Sequence, residues 1–114
     1  MIFHVVSLDE WTASPGLPYT PGSLAAEGFV HCSPDEDSAL AIADEYYRET
    51  PGPLLVLLID EALLDAEVRR EGNGEKFFPH VYGPIDRAAV TGMLEVRRDE
   101  AGRALGLEPW PAGS

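Results

Sequence analysis

Two short runs hold most of the chemically capable residues of this chain: Gly28-Phe29-Val30-His31-Cys32-Ser33 and Phe78-Pro79-His80-Val81-Tyr82-Gly83-Pro84. Each sets a histidine among strand-forming residues, so a titratable, hydrogen-bonding ring stands where hydrophobic periodicity asks for plain core. A single strand histidine is usually a satisfied, half-buried residue. Two in such runs point to a pocket. On an extended strand the side chains alternate, which groups Phe29, His31 and Ser33 on one face and Val30 and Cys32 on the other. The Val30 face reads as core, so Cys32 is expected to be a small buried hydrophobe turned away from His31, and a Cys–His nucleophilic pair is disfavoured. Alternation also groups Phe78, His80 and Tyr82, an imidazole and a phenol able to stack on and hydrogen-bond a planar ligand. Pro79 lacks an N–H for a ladder and predicts an edge strand or a shaped loop there.

Glu71 is a further candidate. It follows Arg69 and Arg70, neighbours that keep a carboxylate ionised and oriented, which suits binding a sugar hydroxyl or stabilising developing positive charge. An exposed ion pair is the plainer reading. His4, His31, Cys32 and His80 offer ligand atoms for zinc, but structural zinc favours pairs such as C-x2-C, and the adjacent His31 and Cys32 face opposite ways. No metal site is expected. The chain contains no P-loop, no G-x-G-x-x-G and no G-x-S-x-G, so the usual phosphate cradles and the hydrolase elbow are absent.

The elements that position these residues follow from pattern and punctuation. Residues 1–7 read as a first strand, with Ser7 capping a short helix through Trp11. The Pro- and Gly-rich stretch from Ser14 to Ser23, with Tyr19 its one aromatic residue, predicts a loop of the kind that lies over a site. Phe29–Ser33 is the second strand. Ser33-Pro34-Asp35-Glu36 has the form of a capping box and predicts a helix starting there. Its apolar positions Ala39, Leu40, Ile42, Ala43 and Tyr46 or Tyr47 recur at helical spacing, and Thr50-Pro51-Gly52-Pro53 ends it. Leu54–Asp60 reads as a central strand and Glu61–Leu64 as a helical turn. Glu67–Glu71 reads as a strand before a Gly72-Asn73-Gly74 turn, and Lys76–Ile85 as part strand, part loop. Ala88–Arg98 carries a further strand, with Asp99–Gly102 turning into Arg103–Leu107. Strands outnumber helices without regular alternation, which predicts α+β. Residues 1–107 form the expected domain and 108–114 a tail that Trp110 pins to the body.

Composition narrows the function classes. At 114 residues one domain can hold a single core without staples. Twenty acidic residues against eight basic ones leave a net charge of −12, and the first 47 residues contain no Lys or Arg. Such a surface repels phosphate backbones and anionic lipid, so neither nucleic acid nor a membrane is an expected partner. The lone cysteine, and an N-terminus without a basic leader or long apolar run, predict a cytoplasmic protein.

His4 and Trp11, Gly28–Ser33, the strand Leu54–Asp60, Glu71 and Phe78–Ile85 together resemble the DUF952 family of small bacterial proteins, over residues 1 to about 98. That family's function is unknown. It is similar in structure to the ADP-ribosyltransferase superfamily, whose split antiparallel β-sheet grips NAD in a central cleft. The resemblance implies such a fold here, with a few short helices and with NAD as a candidate substrate. It implies His4 as holder of the adenosine ribose, and His31 with Ser33 as a second-strand element similar to the Gly-x-x-His-x-Ser run of RNA 2′-phosphotransferases. Glu71 would orient the nicotinamide ribose. The expected catalytic residues are then Glu71 and His31, and the expected ligand-binding residues are His4, Trp11, Ser33, His80 and Tyr82. The chain departs from the phosphotransferase pattern in lacking the arginines that hold RNA phosphate. Backbone amides at the capped helix start could partly replace them, with Asp35 and Glu36 in opposition. Two readings stay open: transfer of ADP-ribose from NAD, and a binding module for a metabolite or protein that has kept the pocket without the chemistry.

Overall fold

The all-apolar run Leu54–Ile59 forms the central strand β3 of a four-stranded antiparallel sheet, as a segment with two hydrophobic faces must. A computed structural model describes residues 1–73 and 76–110 of the chain. Beside β3 lie β1 (Ile2–Ser7) and β6 (Val90–Arg98), and β7 (Ala104–Pro109) pairs outside β6, giving the order β1-β3-β6-β7. The second antiparallel sheet has three strands in the order β2-β5-β4, from Val30–His31 (β2), Val68–Asn73 (β4) and Lys76–Val81 (β5). The helices are α1 (Leu8–Thr12), α2 (Gly22–Glu27) and α3 (Glu36–Tyr46), with single 3-10 turns at Glu61–Leu63 and Arg87–Ala89. The architecture is therefore α+β with two antiparallel sheets and a few short helices.

β3 divides the core. Leu55, Leu57 and Ile59 pack with Ile2, Val30, Cys32 and Val81 between the two sheets. Leu54 and Val56 pack on the opposite face against Ala39 and Ala43 of α3. The alanines at i and i+4 of α3 keep the helix close to the sheet, because no larger side chain separates them. Cys32 and Val30 are buried as alternation predicts.

Several elements differ from the sequence expectation. The second strand is shorter than Phe29–Ser33, because the chain changes sheets there: Val30 and His31 pair with β5, whereas Ser33 exchanges backbone hydrogen bonds with Phe3 of β1 at 2.9 and 2.6 Å. That exchange holds Ser33 extended. The helix consequently starts later than the capping box predicts, and Asp35 is its N-cap, accepting from the Ser38 N–H at 2.7 Å. Pro79 lies neither at an edge nor in a loop; it sits within the middle strand of the small sheet, opposite Arg70. Its carbonyl accepts from Cys32 N–H at 3.0 Å where β2 is ending, so the missing N–H faces the place where the ladder stops.

The strand β4 continues through Asn73, and Gly74 of the expected turn lies outside the described residues. At the other end of the chain β7 runs to Pro109, beyond residue 107, and Trp110 N–H donates to the Met93 carbonyl at 3.1 Å. The remainder of the expected tail, 111–114, is likewise outside the described residues. Among the described residues no helix is long and apolar enough to cross a membrane.

Candidate functional site

A cleft of about 640 Å³ opens where the chain passes from one sheet to the other, a size within the usual range for small-molecule sites. His4, Ser33, His31 and His80 all line it. His4 comes from β1 and His80 from β5, while His31 and Ser33 bracket the crossover between the sheets. The floor is nearly closed to solvent: His4 is 6% and Ser33 4% exposed.

The floor histidine has a defined tautomer. His4 Nδ1 donates to the His31 carbonyl at 2.7 Å, so Nε2 carries the lone pair and faces the Tyr19 hydroxyl at 3.4 Å. Burial lowers its pKa to about 4, so the ring is neutral at physiological pH. Ser33 has no hydrogen bond from its hydroxyl to the described residues, which leaves that group for a ligand. Burial also pushes the Cys32 thiol up to about 12, so it is an inert wall group rather than a thiolate.

His31 and His80 form the second part of the site. Their rings meet edge to face with centroids 5.3 Å apart, and Phe29 stacks on His80 at 4.2 Å while presenting its edge to His31 at 4.9 Å. Each imidazole has a carboxylate partner. His31 Nε2 is bonded to Glu27 from the end of α2. His80 Nδ1 donates to Glu71 at 2.9 Å, leaving its Nε2 without a hydrogen bond among the described residues. A carboxylate on one nitrogen fixes the tautomer and plane of the ring and frees the other nitrogen to meet a ligand.

Glu71 reaches the cleft only through His80 and is not among the described residues lining it. The Tyr82 hydroxyl also donates to Glu71, and this bond, followed by that from His80, holds the carboxyl below its ordinary range. The arginines that flank Glu71 in sequence have other partners. Arg70 forms a fork with Glu61, both bonds at 2.8 Å, and Arg69 bonds Glu67 at 3.0 Å while lying over the Tyr82 ring. The hydrogen-bond partners of Glu71 therefore come from β5 and the residue after it: Arg70 points to the opposite face of β4, while Arg69 shares the face of Glu71 and adds only a favourable charge at a distance. Trp11 is also outside the cleft lining: its ring packs edge-on against Tyr19 at 5.5 Å and lies under the Arg87 guanidinium at 4.2 Å.

Several residues enter the site or its support without having been expected as site residues. Tyr19 and Glu27 line the cleft, Phe29 joins the two histidines, and Arg87 fixes the loop above. The Arg87 side chain donates to the carbonyls of Leu17 at 2.6 Å, Trp11 at 2.9 Å and Ser14 at 3.0 Å. Tyr19 had a signal, the one aromatic ring in a Pro- and Gly-rich loop. Arg87 had none, since its partners lie some seventy residues away. Among the described residues no group of three or more His, Cys, Asp or Glu side chains is placed to hold a metal ion.

The chain is similar to solved structures of protein CC0527 from Caulobacter crescentus. With the crystal structure it shares 25% identity and a TM-score of 0.77, covering 91% of this chain and 92% of that one. With the solution NMR structure it shares 25% identity and a TM-score of 0.69, covering 90% of each. No curated protein matches it. The model of the DUF952 family, described as a protein of unknown function, matches residues 5–93 and so takes in the end of the first strand after His4, the crossover, both histidine runs and Glu71. By that match this chain belongs to the DUF952 family.

Proposed function

We propose that the protein acts in this cleft on a nucleotide-like small molecule of the ribosylated-pyridine class that NAD exemplifies, with its two sheets serving as the halves of an ADP-ribosyltransferase-like split sheet. The observation that supports the reading is the convergence of His4, Ser33, His31 and His80 on one cleft. The Ser33 hydroxyl suits a ribose hydroxyl, and the His31 and His80 rings, backed by Phe29, suit a planar base.

The reaction is displacement at the ribose carbon that bears the pyridinium ring. An acceptor hydroxyl or water forms the new C–O bond. The C–N bond breaks with its electron pair going to the ring nitrogen, so the pyridine leaves neutral. The proton of the attacking hydroxyl passes to His80 Nε2, and Glu71 holds that ring by Nδ1. Glu71 is thus a positioning residue, and Glu27 is the carboxylate beside His31 that faces the positive charge developing on the ribose.

Nicotinamide release from NAD and from nicotinamide riboside by the purified protein tests the reading. Wild type releases nicotinamide, and His80→Ala lowers the rate by about a hundredfold or more. Glu71→Gln lowers kcat and shifts its pH profile while KM stays close to wild type. Binding without release would favour the second reading, a non-catalytic module, which the position of Glu71 behind His80 supports. Absence of both binding and release, with NAD and with nicotinamide riboside alike, would overturn the proposal.

A further inference from the structure

We infer that, within the class proposed above, the cleft selects a planar, positively charged ligand that carries no phosphate, a pyridinium riboside rather than a pyridine nucleotide. The inference rests on the small-molecule reading of the cleft and on the chemistry of its walls.

Two carboxylate side chains, Glu10 and Glu27, line the cleft, and no Lys or Arg does so among the described residues. The arginines near the small sheet and the covering loop are committed elsewhere: Arg69 to Glu67, Arg70 to Glu61, and Arg87 to three carbonyls. The start of α3, where main-chain amides might have met an anion, is occupied by its own Asp35 cap and carries Glu36 and Asp37 in the first turn. A pyrophosphate in this cleft would meet negative charge with no Lys or Arg among the described lining residues to offset it, inside a chain of net charge −12.

A cation meets the opposite environment. Tyr19, Tyr46, Tyr47 and Phe78 present aromatic rings to the cleft, and aromatic faces attract cations. Aromatic walls with carboxylates at the mouth are a familiar way of holding a planar or quaternised cation. The nearly buried Ser33 hydroxyl, without a protein partner among the described residues, is left to hydrogen-bond the sugar. His4, neutral and held by the His31 carbonyl at Nδ1 and the Tyr19 hydroxyl at Nε2, adds no positive charge for a phosphate.

The test is calorimetric titration of the full chain with nicotinamide riboside, its 5′-phosphate, NAD and neutral nicotinamide at low ionic strength. The expected result is binding of the riboside about tenfold or more tighter than of its 5′-phosphate, NAD or nicotinamide. Glu10→Gln and Glu27→Gln each weaken riboside binding several-fold and narrow its margin over the phosphate. Two variants are used because Glu27 also holds His31, whereas Glu10 stands on α1 away from that pair. Equal or tighter binding of the 5′-phosphate or NAD overturns the phosphate-free inference and leaves the small-molecule reading standing. Equal binding of neutral nicotinamide overturns the role given to charge. Failure of all four to bind removes the reading of the cleft itself.

Discussion

The imidazole of His4 and the backbone of His31 are joined across the seam between the two sheets by a 2.7 Å hydrogen bond from Nδ1 to the carbonyl. His4 belongs to β1 of the larger sheet and His31 to β2 of the smaller one. The sequence marks His4 as a ligand-binding candidate and His31 as a catalytic one. The bond gives His4 a second task, because it satisfies a carbonyl where the chain leaves one ladder for the other.

Replacing His4 by alanine should therefore destabilise the fold as well as empty the cleft floor. The loss combines a cavity with an orphaned carbonyl and should amount to roughly 2 to 3 kcal/mol, or a fall in Tm of about 10 °C or more. Asparagine can place an amide N–H near the position of Nδ1, so His4→Asn should lose clearly less. Urea unfolding of the two variants against wild type measures the difference.

The same burial makes stability depend on pH in a stated direction. Folded His4 stays neutral down to about pH 4, whereas its ordinary value is 6.5, so between these limits the unfolded chain binds more protons. Stability should be fully present above the unfolded value and fall by about 3 kcal/mol as the pH drops to the folded one. Other acid-sensitive groups titrate in both proteins, so the informative quantity is wild type minus His4→Asn. Denaturant melts at pH 8 and pH 4.5 should show a steeper acid loss in wild type; parallel losses would remove His4 as the cause.

Cys32 should resist modification in the native state. Its thiol is 4% exposed and pushed up to about 12, so the thiolate fraction at pH 8 is smaller than that of an ordinary cysteine by about a thousandfold. Reaction with a disulfide reagent should be slow in buffer and rapid in urea. Rapid labelling of the native protein would show that the crossover opens without global unfolding.

Arg87 should control the loop over the cleft. Its guanidinium donates to three carbonyls and lies on Trp11, a fork that lysine cannot reproduce. Arg87→Lys and Arg87→Met should each cost about 2 kcal/mol and speed amide exchange between residues 12 and 18, while β3 stays protected. Unchanged exchange in that loop would mean that its own turns hold it.

Much of the framework is legible in the sequence because it depends on local chemistry. The apolar run at Leu54–Ile59 has no polar face to offer water and so becomes the central strand. Alternation buries Val30 and Cys32 and turns His31 to the cleft, and the Asp99–Gly102 turn closes through Asp99, whose side chain accepts from Ala101 and Arg103 at 2.9 Å. The capping signal before α3 is also present, displaced because Ser33 is held extended by Phe3, a residue thirty positions earlier.

The tertiary structure decided which of these residues meet. The partners of Glu71 are set by the register of β4 on β5, which pairs Glu71 with Phe78 and brings His80 and Tyr82 within reach, while adjacency in sequence suggested Arg69 and Arg70. Pro79 is tolerated in a middle strand because β2 ends beside it. Arg87 and the loop it grips, and the bond from His4 to His31, join residues far apart in the chain. The physical reason is the same in each case: a hydrogen bond between distant segments leaves no periodicity or spacing in the sequence, and only the closing of the two sheets brings its donor and acceptor together.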